Sequence, residues 1–182
     1  MALLKIARMG HPVLLRPADA IEDPTAEPVR RLVGHMVETL FDAEGIGLAA
    51  PQIYQSVRLI LFFDADERET AQSRPPTALI NPEIEPLGDE VEHGFEGCLS
   101  IPGLRGLVPR HVRIGYRGYG LDGRLIEREA RGLHARVVQH EVDHLAGVLY
   151  PMRMTDLRQL AFDSELRHVA AAQRADQPEE EA

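Results

Sequence analysis

The sequence predicts an α+β fold, in which antiparallel or mixed β-sheets pack around a central helix with a further helix towards each end. Helix-periodic apolar patterns lie near both ends of the chain, and short β-branched runs separated by Gly and Pro occupy its middle. At 182 residues the chain has room for one domain with a real core and is too short for two. We expect residues 1–173 to form that domain and the acidic segment 174–182 to be a disordered tail.

The first helix is predicted between residues 23 and 44. Its apolar positions recur at the spacing of one buried helix face: Val29, Leu32, Val33, Met36 and Leu40. Gly45 follows this pattern and is predicted to end the helix.

The middle of the chain predicts antiparallel strands. The runs VRLILFF, TALINPEIE, HVRIGYRGYG and GRLIEREA, which begin at residues 57, 77, 111 and 123, are separated by Gly and Pro turns. The polar, proline-ended segment 64–76 predicts a surface loop. Helices are predicted again at residues 133–150, which form the central helix, and from Thr155, as a cap, through Ala172.

Composition excludes several classes of protein. The net charge is −9 and the basic residues are scattered, so we expect neither nucleic acid nor an anionic membrane as a partner. No apolar run reaches the ~20 residues that span a bilayer, and the first fifteen residues do not resemble a signal peptide. A lone cysteine, Cys98, cannot form an internal disulfide, which is typical of the reducing cytoplasm.

The central helix carries the motif QHEVDH at residues 139–144. On a helical wheel His140 and His144 lie about 40° apart and Glu141 about 60° further round, so the three side chains project to one side. Two such imidazoles can bind one metal ion, and the carboxylate beside them can exchange protons with a bound water. The alternative is a surface helix on which these residues are merely polar.

A catalytic metal site of this kind needs a third protein ligand and one open position. A histidine six residues beyond the second one is absent, because Tyr150 stands there; Glu165 is a formal candidate. Cys98, in EGCLS, is the remaining strong donor, since a thiolate binds zinc or ferrous iron well. A lone cysteine can also be a small buried apolar residue.

Three segments in this order resemble the peptide deformylase family: GIGLAAPQ at 45–52, EGCLS at 96–100 and QHEVDH at 139–144. These enzymes are metal hydrolases that remove the formyl group from the N-terminal methionine of nascent bacterial proteins. The resemblance extends through GHPVLLRPA, INPEI and IPGLRGLVPR, so it covers most of residues 6–154.

The resemblance implies a catalytic site. Cys98, His140 and His144 match the family's metal ligands, and one divalent ion is expected, Fe²⁺ by family precedent, with Zn²⁺, Ni²⁺ or Co²⁺ also compatible. Glu141 matches the general acid and base that assists attack of a metal-bound water on the formyl carbon. The amide of Gln52 and the backbone N–H of Leu99 match the groups that stabilise the oxyanion.

The resemblance also implies a substrate cleft. Seven residues match positions that bind the formyl-methionyl peptide, its side-chain pocket or its downstream end: Gly45, Ile46, Gly47, Gly97, Arg105, Leu133 and Val137. Glu96 and Arg110 match a structural ion pair. Glycine permits a close approach of two backbones, so the GIG segment is predicted to let an extended peptide run beside it.

Nascent formyl-methionyl peptides are therefore the expected partners of a monomer. Family members often dock near the ribosomal exit tunnel through a basic C-terminal helix, whereas the acidic end here disfavours contact with ribosomal RNA. Three other classes stay open at this point: an HExxH endopeptidase that uses Glu165, a binding module with a structural zinc, and a cysteine-nucleophile hydrolase.

Overall fold

The computed structural model describes residues 3–64 and 75–169. Its helices α1 and α2 span Glu27–Asp42 and Gly132–Leu145, and residues 166–169 are helical where the description ends. The strands are β1 (Gly47–Ala49), β2 (Leu59–Phe62), β3 (Thr77–Pro86), β4 (Val91–Cys98), β5 (Ile101–His111), β6 (Arg113–Tyr119), β7 (Leu125–Arg131) and β8 (Leu160–Phe162). Short 3₁₀ helices connect them at Pro12–Leu15, Ala50–Ile53, Tyr150–Arg153, Leu157–Gln159 and Asp163–Glu165.

The strands form two antiparallel sheets. One has five strands in the order β1-β2-β3-β6-β7, and the other has three in the order β4-β5-β8. Helix α2 packs against strands of both sheets. The predicted α+β class with antiparallel sheets around a central HExxH helix is therefore confirmed.

Strand β2 is buried on both faces, which explains its continuous apolar sequence LILF. Leu59 and Leu61 join the core cluster formed with α1, whereas Ile60 and Phe62 join the cluster formed with α2. Alternate side chains of one strand thus hold the two helices on opposite faces of the five-stranded sheet. A third core cluster, which includes Ile101, lies beside the three-stranded sheet.

Both predicted main helices exist but are shorter than predicted. Helix α1 begins late because the Asp23 side chain accepts hydrogen bonds from Thr25 in a local turn. It ends at Asp42, and the residue with the left-handed conformation beyond it is Glu44, with φ 52°, rather than Gly45. Helix α2 ends at Leu145 because Gly147 adopts φ 74° and lies against the backbone of the 15–16 segment.

Four strands were absent from the sequence prediction: β1, β4, β5 and β8. β1 is only three residues long, too short to show an alternating pattern. β4 and β5 contain Gly and Pro and show little apolar alternation, so neither looked like a strand. β8 lies within the region predicted as a helix from Thr155, and that prediction is wrong before Leu166, because Leu160–Phe162 pairs with β5. The remainder of that helix, most of the 64–76 loop, the boundary at 173 and the acidic tail lie outside the described residues. Within the described ranges, no helix is long and apolar enough to cross a membrane.

Candidate active site

Cys98, His140 and His144 converge although the cysteine is the last residue of β4 and the histidines lie on α2. One ligand atom from each lies within 4.8 Å of the others, and Cys98 Sγ is 3.3 Å from His144 Nε2. Helix α2 supplies the imidazoles one turn apart. The ladder between β4 and β5 shifts register between Gly97 and Cys98, which turns the sulfur towards α2.

The donor set fits a divalent cation. A thiolate and two imidazoles are ligands for which Zn²⁺, Fe²⁺, Co²⁺ and Ni²⁺ compete. The Nδ1 atom of His140 is occupied by the Glu96 carboxylate at 2.8 Å, so Nε2 is the nitrogen left to face the cation. Glu165 does not belong to this group of ligand atoms and its side chain is 60% exposed.

Electrostatics in this site also favour a cation. Burial alone would lower the pKa of His140, but Cys98 and Glu96 together raise that pKa well above its ordinary value. Burial and the neighbouring His140 lower the pKa of His144 well below its ordinary value. Cys98 and Glu96 thus favour a proton on His140. Because a metal ligand must be neutral, cation binding would displace that proton.

Glu96 is a buried carboxylate with several donors. Arg110 donates to both of its oxygens at 2.9 and 3.0 Å, and Arg136 donates at 2.9 Å. Burial alone would raise the pKa of Glu96, but hydrogen bonds from His140 and Arg110 lower it to about 2. The predicted ion pair with Arg110 is confirmed, and the structure adds that the same carboxylate orients His140.

The ion-pair network extends to a residue inside the HExxH motif. Asp143 accepts hydrogen bonds from Arg110 at 2.6 Å and from Arg153 at 2.7 Å. Arg110, on β5, therefore binds β4 through Glu96 and α2 through Asp143. We expect this network to fix the distance between the cysteine strand and the histidine helix.

Glu141 lies beside the ligand cluster with one oxygen free. Its Oε2 is buried and has no hydrogen-bond partner among the described residues. Burial raises the pKa of Glu141 to about 7, against the lowering effect of His140. A Cβ on Gly47 would overlap this carboxylate, so the glycine leaves the space that Glu141 occupies. A carboxyl group with this pKa, lining the cleft, is able to exchange protons near neutral pH.

Gln52 is held in one orientation. Its Oε1 accepts a hydrogen bond from the Ala49 N–H at 2.8 Å, so its Nε2 is directed away from that backbone. Nε2 lies 3.2 Å from Ser100 Oγ and 3.4 Å from Cys98 Sγ. The amide N–H therefore points into the space beside the ligand cluster, where it can donate to a substrate oxygen. Ser100, in EGCLS, was not predicted to have this role.

A cleft of about 720 Å³ opens beside the cluster. Leu99 and every residue predicted to bind substrate line this cleft: Gly45, Ile46, Gly47, Gly97, Arg105, Leu133 and Val137. Gly45 has a packing reason of its own, since a Cβ there would lie 2.7 Å from Leu40 Cδ1 and 3.0 Å from Leu99 Cδ1. The structure brings these residues to one cleft, and their individual roles stay predictions.

The fold and the site together define a class, the α+β hydrolases with an HExxH helix and a cysteine on an adjoining strand. Comparison with known proteins makes the assignment specific. The family model described as polypeptide deformylase matches residues 3–160. The chain therefore belongs to the polypeptide deformylase family, whose members are hydrolases that remove the N-formyl group from the N-terminal methionine of nascent polypeptides.

Individual relatives agree with this assignment. Peptide deformylase 1 of Bordetella pertussis is 52% identical over 163 residues, which cover 88% of this chain and 93% of the relative. The crystal structure of peptide deformylase from Thermotoga maritima superposes with a TM-score of 0.77 at 35% identity and covers 86% of this chain and 100% of its own. The Met-Ala-Ser-bound structure of a class I type b peptide deformylase from Acinetobacter baumannii superposes with a TM-score of 0.76 at 32% sequence identity. The match covers 84% of this chain and 99% of that one.

Proposed function

We propose that this chain releases formate from formyl-methionyl peptides at the cleft beside Cys98, His140 and His144. The observation that carries this proposal is the convergence of those ligand atoms within 4.8 Å, next to a buried carboxylate with a free oxygen. The Met-Ala-Ser peptide bound to the Acinetobacter baumannii relative supports it, because that peptide has the sequence of a deformylated product.

Cys98, His140 and His144 would hold one divalent cation. We propose Fe²⁺ as the native ion, in keeping with the resemblance to deformylases, while the donor set also suits Zn²⁺, Ni²⁺ and Co²⁺. When bound, such a cation supplies Lewis-acid chemistry and makes hydroxide available near neutral pH. Glu96 binds Nδ1 of His140 and so fixes the orientation of the ring, which leaves Nε2 of His140 directed at the proposed cation.

Glu141 would move the proton in this reaction. The free Oε2 of Glu141 accepts a proton from the attacking water while the oxygen of that water bonds to the formyl carbon. The same carboxyl then delivers that proton to the methionyl nitrogen as the C–N bond breaks, which releases formate and the free amine. A pKa of about 7 suits both directions of transfer, since neither protonation state dominates near neutral pH.

Gln52 and the backbone N–H of Leu99 would stabilise the negative charge that develops on the formyl oxygen. The Nε2 of Gln52 is already directed at the cluster by its bond to Ala49, so donation requires no reorganisation of the amide. Leu99 follows Cys98 directly and lines the same cleft. Each such donor typically contributes ~10²–10³ in turnover.

The methionine side chain would enter an apolar part of the cleft. Ile46, Leu133 and Val137 line the cleft and belong to two different elements, the segment before β1 and helix α2. Burial of a methionine side chain there contributes about 1.5–3 kcal/mol to binding. Leu133 is 44% exposed in the substrate-free protein, which leaves apolar surface for a ligand to cover.

We further propose that the protein acts as a monomer in the cytoplasm, where formylated chains emerge from the ribosome. The acidic segment 174–182 would be repelled by ribosomal RNA, so we do not expect this segment to dock on the ribosome.

The test is formate release from formyl-Met-Ala-Ser under anaerobic conditions, with ferrous iron and zinc compared side by side. We expect turnover that a chelator abolishes, and loss of turnover with retained cation in Glu141→Gln. Glu127→Gln, on the exposed strand β7, is the control variant. Cleavage of an internal peptide bond would support the endopeptidase alternative, and activity of the wild type in the presence of chelator would support a cysteine nucleophile.

A further inference from the structure

The C-terminal part of the described chain reaches the substrate cleft. Strand β8 pairs antiparallel with β5, and Ala161 lies opposite Arg105. Asp163 directly follows β8 as the first residue of the 3₁₀ helix Asp163–Glu165, and there its side chain contacts Arg105. Asp163 and Arg105 both line the cleft.

Asp163 holds Arg105 through one nitrogen only. Its Oδ1 lies 2.7 Å from Arg105 Nε, and the two side chains are 51% and 47% exposed respectively. Nη1 and Nη2 of Arg105 have no protein acceptor among the described residues. The guanidinium lies over Gly97, since a Cβ on that glycine would be 3.5 Å from Arg105 Cζ and Nη1. Its terminal N–H groups are therefore presented at the mouth of the cleft.

We propose that Asp163 is a positioning residue that determines how strongly the enzyme distinguishes long formyl-peptides from short ones. It fixes the Arg105 guanidinium so that Nη1 and Nη2 donate hydrogen bonds to backbone carbonyls downstream of the methionine. The inference rests on the proposed function, because it assigns the downstream end of the same cleft.

Energetics favour a role in binding over a role in folding. An ion pair this exposed contributes little to stability, because water screens it and both side chains lose rotamer freedom. Arginine that is already ordered before binding loses less entropy when a peptide arrives, so its hydrogen bonds contribute more to affinity. Dipeptide substrates end before this point and gain little from the arrangement.

The experiment compares kcat/KM for formyl-Met-Ala-Ser-Ala with that for formyl-Met-Ala in the metal-loaded enzyme. For Asp163→Asn we expect the ratio of long to short substrate to fall roughly three- to tenfold, through a higher KM for the long peptide, as for loss of one or two hydrogen bonds. Asp163→Glu should recover part of the ratio. Arg105→Ala should lower the long-to-short ratio by the same factor as Asp163→Asn. The double variant should lower the ratio no further than either single variant.

Glu83→Gln is the matched control, because Glu83 forms an exposed ion pair with Arg117 on the other sheet. It should leave the ratio at the wild-type value. The inference would be overturned if Asp163→Asn lowered kcat/KM equally for both peptides. It would also be overturned if the effects of Asp163→Asn and Arg105→Ala on the ratio multiplied in the double variant. Failure of the proposed function would be distinct, since the wild type would then release no formate from either peptide.

Discussion

The Nδ1 atom of His140 lies 2.8 Å from Oε2 of Glu96, across 44 positions of sequence. The carboxylate is held in turn by Arg110 and Arg136, so the imidazole is oriented by a rigid, buried anchor. This relationship ties the three-stranded sheet, which carries the cysteine, to the helix that carries the histidines. Affinity for a cation and stability of the fold should therefore depend on the same carboxylate.

Replacing Glu96 by Gln should weaken cation binding about 10–100-fold, the usual cost of losing an outer-shell carboxylate. The neutral amide cannot satisfy His140, Arg110 and Arg136 at once. Competition with a fluorescent chelator measures the affinity. Glu92→Gln is the control, because Glu92 lies on the same strand with its side chain exposed. If Glu96→Gln and the wild type bound the cation with equal affinity, Glu96 would have no effect on the affinity of the site.

Acid should destabilise the cation-free protein through Glu96. Its pKa is about 2 in the fold against an ordinary value of 4.5. A lowered pKa stabilises the fold fully above the ordinary value, and this stabilisation is lost as pH falls towards 2. The shift corresponds to about 3 kcal/mol, of which about 2 kcal/mol is lost between pH 6 and pH 3.

Urea unfolding of wild type and Glu96→Gln at both pH values measures this contribution as a difference, so other carboxylates cancel. The free-energy gap between the two proteins should shrink by about 2 kcal/mol at pH 3. A gap that stays constant with pH would mean that Glu96 is not charged in the fold, contrary to its pairing with Arg110.

Gly47→Ala should reduce turnover at least about 100-fold while the cation is retained. A Cβ at this position overlaps the carboxylate of Glu141 and displaces it from the cleft, whereas the ligands themselves are untouched. Formate release and metal content give the two readouts. Gly34→Ala, in α1 with no atom within 4 Å of the added Cβ, is the control and should raise stability by about 0.5–1 kcal/mol. Loss of metal in Gly47→Ala would contradict the prediction.

Local spacing was sufficient to predict that the two histidines of the proposed metal site lie side by side. His140 and His144 stand one helical turn apart, so any helix through them brings the imidazoles together. Cys98 could be proposed from its chemistry but not placed, because its position depends on a register shift between β4 and β5. Those strands were not predicted, since their Gly and Pro residues obscure the alternation that marks a strand.

Two contacts between distant segments were not predicted. Ser100 meets Gln52 across 48 positions, and Asp163 meets Arg105 across 58. Nothing in the local sequence of either pair signals its partner, because such contacts are set by strand pairing and by loop paths in the folded chain. The end of α1 is a similar case. Gly45 was predicted to end the helix, yet Glu44 adopts the left-handed conformation, and Gly45 instead leaves room for the side chains of Leu40 and Leu99.

Replacing Gln52 by Glu should reduce kcat by ~10²–10³, because the carboxylate can still accept the Ala49 N–H but cannot donate to the developing oxyanion. A structural role of Gln52 would be preserved by this change, so a loss of turnover reports the missing donor. Gln55→Glu adds the same charge on an exposed side chain of the same loop and serves as the control. Formate release at saturating substrate, with metal content measured in parallel, checks the prediction. If Gln52→Glu keeps more than a tenth of the wild-type kcat with its cation bound, the oxyanion must be stabilised without Gln52.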